Sequence, residues 1–276
     1  MKIEVGGITI AYYLDGPADG RTGAPVVMLS HSLAATSAMW EPQVKALAGS
    51  YRVLRYDTRG HGASAVPTGP YTLAQMVEDV RGLLAAFALD RIYFVGLSMG
   101  GMIGQLLALT HPELLHGVAL CSTNAKMTPD APAVWDERIA VARTQGMGAH
   151  VEPTIGRWFT PGFVREHPEE VDRVREMIRT TDAEGYVACI EAIRHTAFLE
   201  RLPEIRMPAL VVAGRDDPGL PAAQAIHVHI VGSEMVVLAP AAHMCNLEQP
   251  EAFNAALLGF LARSEAARAA APAAAL

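Results

Sequence analysis

The sequence predicts an α/β protein, with a mostly parallel central sheet that carries helices on both faces. Short, continuous apolar runs recur along the chain, as is typical of strands covered on both faces. Helical patterns lie between these runs, so that strand and helix alternate. The chain has 276 residues, 51% of them hydrophobic, which is enough to bury the core of one large domain.

The strands are predicted in order along the chain. The first segment, to about residue 15, alternates like an antiparallel hairpin, with Ile8 and Ile10 on one face and a turn at the glycines 6–7. The buried strands that follow are predicted at residues 26–29, 51–56, 92–95, 118–121, 210–213 and 235–238.

The helices are predicted between these strands. Thr72 and Gln75 have the pattern of a capping box, and apolar residues recur at helical spacing behind them up to Phe87. A second helix is predicted at residues 101–109 and a last one at about 253–261.

The stretch from residue 125 to 200 interrupts this alternation. It has helical patterns and charges but no strand-like run. Because it follows one core strand and precedes the next, we expect a cap over the carboxyl edge of the sheet; the alternative is a helical excursion that contacts no site. The predicted organisation is a core of residues 1–124 and 201–263, a cap of residues 125–200, and an alanine-rich, disordered tail at 264–276.

Charge and hydropathy argue against a nucleic-acid partner and against a membrane location. The net charge of −7 does not suggest a nucleic acid or an anionic membrane surface as a partner. No apolar run has the length of a transmembrane helix, and the N-terminus lacks the apolar core of a signal peptide, so a cytoplasmic protein is expected.

Three widely spaced cysteines, Cys121, Cys189 and Cys245, do not fit a disulfide framework or a zinc site. They are expected to be reduced thiols in or near the core. No other cluster has the spacing of metal ligands, so neither a metal nor another cofactor is expected.

Ser98 is the candidate nucleophile. It lies in the segment 96–100, G-L-S-M-G, between a predicted strand and a predicted helix. A nucleophile on so tight a turn leaves no room for side chains two residues before and after it, and Gly96 and Gly100 occupy those positions. The strand before the pattern and the helix after it favour a nucleophile over a serine that merely caps a helix.

A serine nucleophile needs a base beside it, and on a fold of this type an acid and then a histidine follow the serine in the chain. His243 is the candidate base, because it lies in a loop of small residues just past the last predicted strand. His195, in the predicted cap, is the other histidine worth testing. Asp216 and Asp217 both follow the strand at 210–213, and one of them is expected to orient the histidine.

Two backbone N–H groups are expected to stabilise the oxyanion that forms when the serine attacks a carbonyl carbon. One belongs to Met99, which follows the nucleophile, and the other to Leu33, in the loop after the strand at 26–29. His31 is expected to shape that loop rather than to take part in the reaction. The glycines and charges of segment 57–62, D-T-R-G-H-G, favour a tight, internally bonded turn over a metal or phosphate site.

Three of these motifs resemble the α/β-hydrolase superfamily: the segments 56–62, 96–101 and 214–218, the last of which reads G-R-D-D-P. The resemblance covers about residues 3–262. It implies an α/β-hydrolase fold, and it implies that the acid is Asp217, the second aspartate of that pattern.

A narrower resemblance connects the chain with the 3-oxoadipate enol-lactonases, which act in the catabolism of aromatic compounds. Segment 246–253, N-L-E-Q-P-E-A-F, is similar to the C-terminal signature of that group. The cap segments 157–161 and 182–186 are similar to its cap motifs. This resemblance implies a serine hydrolase that cleaves a small enol-lactone through an acyl-enzyme, without a cofactor.

Such a lactone carries a carboxylate, so a cation is expected near the reacting group. The candidates are three arginines of the predicted cap, each with a solvated helix charge as its alternative: Arg138, Arg157 and Arg194. Other contacts with the substrate are expected from three aromatic residues, with core packing as the alternative for the two tryptophans: Trp135, Trp158 and Tyr186.

Other functions stay open. A broad carboxylesterase for small neutral esters would use the same residues, and so would an acyltransferase or a cofactor-free oxidative enzyme. A ligand receptor built on this fold is a further alternative, although the complete set of Ser98, Asp217 and His243 argues against it. Haloalkane dehalogenase chemistry is excluded, because its nucleophile would be a carboxylate at position 98. The expected partner is a small-molecule ester or lactone, and the sequence leaves open whether the chain forms a homo-oligomer.

Overall fold

The computed structural model describes residues 1–17 and 23–270, with a sheet of eight strands at its centre. Along the chain the strands are β1 Lys2–Val5, β2 Ile8–Asp15, β3 Val26–Ser30, β4 Arg52–Tyr56, β5 Ile92–Leu97, β6 Leu115–Cys121, β7 Ala209–Gly214 and β8 Glu234–Leu238. Their order across the sheet is β1-β2-β4-β3-β5-β6-β7-β8. The pairs β1–β2 and β2–β4 are antiparallel, and every other neighbouring pair is parallel.

The apolar runs of the sequence form the interior strands of this sheet. Every residue of β3, β5 and β7 is buried, as expected for parallel strands that are covered on both faces. The hairpin β1–β2 also forms as predicted, and its turn at Gly6 and Gly7 uses positive φ angles that glycine adopts without strain. The three cysteines are buried, unpaired thiols, as expected.

The helices are α1 Glu41–Leu47, α2 Leu73–Ala86, α3 Met99–Thr110, α4 Ala131–Gln145, α5 Val151–Trp158, α6 Pro161–Glu166, α7 Pro168–Thr180, α8 Ala183–Ile193, α9 Leu220–His229, α10 Cys245–Glu248 and α11 Pro250–Ala270. Short 3₁₀ helices lie at Ser37–Trp40, Pro112–Leu114, Met147–His150 and Leu199–Glu204. The predicted capping box opens α2: Thr72 Oγ1 accepts from Gln75 N at 3.1 Å, and Gln75 Oε1 accepts from Thr72 N at 2.9 Å. None of the helices in the described ranges is long and apolar enough to cross a membrane.

Helices cover both faces of the sheet, as the packing around β6 shows. Gly117 packs against Phe260 of α11, whereas Leu120 packs against Gly104 of α3. Because residues three apart in a strand point to opposite faces, α3 and α11 cover opposite faces.

Helices α4 to α8 lie between β6 and β7, in the stretch for which a helical cap is predicted. The two ends of this insertion meet: Phe198 N donates to Ala125 O at 2.6 Å, and Lys126 forms an isolated β-bridge with Ala197. The chain therefore leaves the core and returns to it at neighbouring points.

Helix α11 extends further than predicted. The prediction of a disordered tail from residue 264 is wrong for 264–270, which are helical, and residues 271–276 lie outside the described residues. Side-chain hydrogen bonds hold the added turns: Ser264 Oγ donates to Phe260 O at 2.9 Å, and Tyr93 donates its hydroxyl to Glu265 at 2.6 Å.

Candidate active site

Ser98 occupies the tight turn between β5 and α3. Its backbone lies at φ 56° and ψ −112°, a strained region for a residue with a side chain. Gly96 and Gly100 make the turn feasible, because a Cβ on Gly96 would collide with the backbone of Gly100, and a Cβ on Gly100 with that of Ser30. The strain is held by the surroundings: Ser98 N donates to Cys121 O at 2.9 Å.

His243 and Asp217 form a hydrogen-bonded pair. His243 Nδ1 lies 3.0 Å from Asp217 Oδ2, and the second carboxylate oxygen of Asp217 accepts from Gly219 N at 2.8 Å. Burial opposes ionisation of Asp217, but the charge and hydrogen bond of His243 and the Gly219 N–H together hold the pKa of this carboxyl below its usual value. Asp217 is therefore an anion that fixes the orientation of the imidazole ring.

Asp216 has a different role from its neighbour. Its side chain accepts from Ala241 N at 3.3 Å, and its own N–H donates to Ala241 O at 2.8 Å. Both bonds fasten the loop that leads to His243. Of the two aspartates, only Asp217 contacts the histidine ring in the described structure.

Ser98, Asp217 and His243 line one cavity of about 250 Å³, together with Leu33. Met99 follows Ser98 at the start of α3. Over residues 1–17 and 23–270, neither the N–H of Leu33 nor that of Met99 donates to an acceptor in the protein. Buried N–H groups usually have a partner, so these two unpaired donors, one on a residue that lines the cavity and one on the residue after Ser98, stand out.

Two buried histidines hold the loop that carries Leu33. His31 accepts from Thr58 N through Nε2 at 2.8 Å, so its Nδ1 donates to Ser32 O, also at 2.8 Å. His61 accepts from Ala34 N through Nε2 at 2.9 Å. His31 thus shapes the loop, as expected.

The segment 57–62 forms the tight turn that its composition favours, closed within the segment by a bond from His61 N to Thr58 O at 3.0 Å. Its charged side chains bond to residues outside the segment. The Asp57 carboxylate accepts from Ser37 N at 2.9 Å and from Ala63 N at 3.0 Å. Arg59 makes two bonds of 2.6 Å to the buried carboxylate of Asp79. These partners satisfy the charged groups of the turn.

The cap supplies the outer wall of the cavity. Five of the six predicted substrate contacts line it: Trp135, Arg138, Arg157, Trp158 and Tyr186. The prediction for Arg194 is wrong, because it does not line this cavity and its guanidinium pairs with Asp136 at 2.7 Å and Glu191 at 3.1 Å. His195 is exposed and lies off the cavity.

Arg138 and Arg157 carry positive charge at this wall without a carboxylate partner in the described parts of the chain. Arg157 is half-buried and donates to Thr154 Oγ1 at 3.0 Å, and the Arg138 guanidinium lies 4.7 Å from the centre of the Trp135 ring. Burial lowers the pKa of Arg157, and the neighbouring charge of Arg138 lowers it further. Two adjacent cations of this kind favour the binding of an anion.

Comparison with known proteins places this geometry in a family. The sequence model of the alpha/beta hydrolase fold matches residues 25–250. The chain belongs to the α/β-hydrolase family.

Relatives of this hydrolase match it along nearly their whole length. It is 39% identical over 246 residues to 3-oxoadipate enol-lactonase 2 of Acinetobacter baylyi. The aligned region covers 88% of this chain and 91% of the relative. The crystal structure of the enol-lactonase from Burkholderia xenovorans superposes with a TM-score of 0.91 at 39% identity, over 95% of this chain and all of the other. A thermophilic esterase from Thermogutta terrifontis, solved with malate bound, superposes with a TM-score of 0.87 at 29% identity, over 96% and 99% of the two chains.

The hydrolase has a connection between cap and core that sequence reasoning missed. The Trp158 ring stacks beside His243, with ring centres 6.1 Å apart, and the backbone O of Trp158 accepts from Met244 N at 3.0 Å. Glu248 bonds to Thr160 in the cap and to Ala242 in the loop before His243. Glu248 belongs to the segment 246–253 that the resemblance singled out, but no spacing rule pointed to its partners.

A second cavity, of about 570 Å³, adjoins the first in this α/β hydrolase. Arg157 and Pro218 line both cavities and form the partition between them. Phe159 and Phe163, stacked with ring centres 5.3 Å apart, contribute to its wall.

Proposed function

We propose that this hydrolase opens a small enol-lactone that carries a carboxylate, by way of an acyl-enzyme on Ser98. The observation that carries the proposal is the pair Arg138 and Arg157, two cations without a carboxylate partner in the described residues, on the wall of the cavity that Ser98 and His243 share. In a protein with a net charge of −7, these cations give an anionic substrate a defined orientation.

In the first step, Ser98 Oγ attacks the lactone carbonyl carbon while His243 takes the hydroxyl proton. Asp217 holds the ring and stabilises the imidazolium that forms. The N–H groups of Leu33 and Met99 donate to the oxyanion of the tetrahedral intermediate. Each such donor lowers the barrier by about 3–4 kcal/mol, judged from the loss on removing one in other hydrolases.

In the second step, the tetrahedral intermediate collapses and the ring C–O bond breaks. His243 returns its proton to the departing enol oxygen, which stays attached to the acyl group because the substrate was cyclic. Water then attacks the ester carbon, with His243 again as base, and Ser98 leaves with the proton. The product is the open acid, which bears the newly formed carboxylate beside the one that the substrate carried, and its enol converts to a ketone.

The size of the cavity supports a small substrate. About 250 Å³ is below the roughly 300–1,000 Å³ that sites for drug-sized ligands occupy. The relatives point the same way, because two proteins at 39% identity, matched over most of their length, are named enol-lactonases. The names of these relatives indicate a substrate class that Ser98, Asp217 and His243 alone leave open.

The test compares two substrates on the purified enzyme. We expect kcat/KM to be at least about 100-fold higher for the carboxylate-bearing enol-lactone than for a neutral aryl acetate, since two charge-assisted hydrogen bonds contribute about 1.5–3 kcal/mol each. A Ser98→Ala variant supplies the background rate of the reactive ester. Equal turnover of both substrates by the wild-type enzyme contradicts the lactone assignment.

A broad carboxylesterase is the second candidate. The cavity of about 570 Å³ beyond Arg157 favours it, because that space offers additional room for a longer alkoxy group. The likeness to a thermophilic esterase agrees with it. An enzyme that prefers neutral esters with longer alcohols to the lactone identifies this function instead.

A further inference from the structure

Glu248 lies between the cap and the loop that carries His243. Its side chain is buried, and one carboxylate oxygen accepts from Thr160 N at 2.8 Å and from Thr160 Oγ1 at 2.7 Å. The other oxygen accepts from Ala242 N, the residue before His243. One carboxylate therefore joins the segment that follows α5 to the backbone beside the histidine.

Hydrogen bonds to the core hold α10, the helix that carries Glu248. Asn246, two residues earlier on α10, donates to Met39 O at 3.0 Å and to Gln43 Oε1 at 3.1 Å. Gln43 in turn donates to Asn246 O at 3.0 Å. Because these groups are buried, their hydrogen bonds hold α10 in place against the core. The Glu248 carboxylate on α10 therefore holds Thr160 and Ala242 at fixed positions.

The same cap segment contacts the histidine directly. Trp158 stacks beside the His243 ring, and its carbonyl accepts from Met244 N, the residue after the histidine. His243 is thus held on its N-terminal side through Ala242 and on its C-terminal side through Met244. Both bonds lead to residues 158–160 of the cap, one of them through Glu248.

We propose that Glu248 is a positioning residue for His243, which aligns the base with Ser98 and couples that alignment to the position of the cap. The inference rests on the proposed function, in which His243 acts as the base. A carboxylate suits the task, since all three of its partners donate and none accepts. An amide at this position would set an NH₂ group against one of those donors.

The main test is Glu248→Gln beside the matched control Glu251→Gln. Glu251 is an exposed carboxylate three residues further along, without a bonded partner in the described chain. We expect Glu248→Gln to lower kcat by roughly 10- to 100-fold, the scale that a misplacement of about 1 Å produces. KM for a neutral aryl ester should stay within about twofold, because His243 serves acylation and deacylation alike. The control should keep the wild-type kcat.

Glu248→Asp distinguishes the effect of side-chain length from the effect of the negative charge. It keeps the carboxylate but shortens the side chain, so that it cannot span both partners, and we expect a loss of kcat similar to that of Glu248→Gln. Wild-type kcat in both variants overturns the proposal. An equal loss in Glu251→Gln overturns it as well.

A proton resonance provides a readout that general destabilisation does not move. The Nδ1–H of His243, bonded to Asp217, gives a far-downfield signal in proton NMR, assigned by its absence in His243→Ala. We expect this signal to shift in Glu248→Gln and to stay in place in Glu251→Gln. A lowered kcat with an unshifted signal overturns the positioning role.

Thr160 offers a second route if the Glu248 variants do not fold. Thr160→Val keeps the shape of the side chain but removes its hydroxyl, which donates to Glu248 at 2.7 Å and accepts from Phe163 N at 3.3 Å. We expect kcat to fall about 3- to 10-fold, the scale of one neutral hydrogen bond. Thr160→Ser restores the hydroxyl and should restore kcat. Wild-type kcat in Thr160→Val overturns the proposal.

Failure of this inference is distinct from failure of the proposed function. If Ser98→Ala and His243→Ala retain turnover, the proposed function is wrong. If both abolish turnover and Glu248→Gln leaves kcat unchanged, only the positioning role is wrong.

Discussion

Asp217 contacts His243 through a carboxylate oxygen 3.0 Å from Nδ1, whereas the adjacent Asp216 bonds to the backbone of Ala241. Two neighbouring carboxylates thus act on one loop in different ways. Asp217 orients the ring, and Asp216 fastens the backbone that carries it.

Asp217→Asn should therefore cost far more activity than Asp216→Asn. An asparagine at 217 favours the wrong tautomer of the histidine, which lowers kcat by about 10⁴-fold in a comparable triad. Asp216→Asn keeps an acceptor for Ala241 N, and we expect a loss below about tenfold. Steady-state kcat for both variants measures the difference, and a larger loss in Asp216→Asn contradicts the assignment.

Ser98→Ala should abolish turnover, by roughly 10⁴- to 10⁶-fold, because no other group supplies the attacking oxygen. A fluorophosphonate probe should label Ser98 in the wild-type enzyme, as mass spectrometry of the digested protein reports. Ser32 lines the same cavity, so Ser32→Ala is the matched control and should retain labelling. Labelling at any other serine would sink the assignment.

Arg157→Met and Arg138→Met should raise KM for the carboxylate-bearing lactone by about 10- to 100-fold, since each removes a charge-assisted contact with the substrate. Turnover of a neutral aryl ester should change by less than about threefold. Arg194→Met is the control, because Arg194 pairs with Asp136 and Glu191 away from the cavity. A parallel loss on both substrates would mean that these arginines hold the cap rather than the ligand.

Acid should destabilise the fold through His61. Burial, with the charge of His31, lowers the pKa of His61 from 6.5 to about 3. Below pH 6.5 the unfolded chain binds a proton at this ring while the folded protein does not, so stability is present above pH 6.5 and falls as the pH drops towards 3. One such group changes the free energy of unfolding by about 1 kcal/mol per pH unit.

Urea denaturation at pH 7 and pH 5 measures this dependence. His61→Gln keeps an acceptor for Ala34 N but has no titrating group, so its unfolding free energy should fall less between these two pH values than that of the wild type. His31, whose pKa burial also lowers, supplies a remaining slope in the same direction. An unchanged slope in His61→Gln excludes the ring as the source.

Much of the fold was predictable because its signals are local. The runs at 26–29 and 92–95 lie within the observed β3 and β5, since strands buried on both faces are apolar throughout. Ser98 was predictable for a similar reason, because its turn requires glycines at fixed offsets in the chain.

The cap contacts were harder to predict, because they depend on partners far apart in the sequence. Arg194 and Arg157 are both arginines of the predicted cap. Only the folded chain shows that Arg194 pairs with Asp136, which lies 58 residues earlier. Glu248 and Thr160 are 88 residues apart, and neither reveals the other in the sequence. The end of α11 could not be predicted either, because its alanine-rich sequence has no apolar stripe and the partner of Glu265, Tyr93, lies 172 residues earlier in the chain.

The bonds between residues 158–160 and 242–248 limit which segments can be exchanged between relatives to change substrate specificity. The insertion begins and ends where Ala125 and Phe198 meet, so residues 125–198 look like a segment that could be exchanged as one piece. A chimera that exchanges this segment alone would place residues of another protein against Glu248 and His243. The cap and the stretch around residues 240–250 must therefore be exchanged together, although they are separate in the sequence.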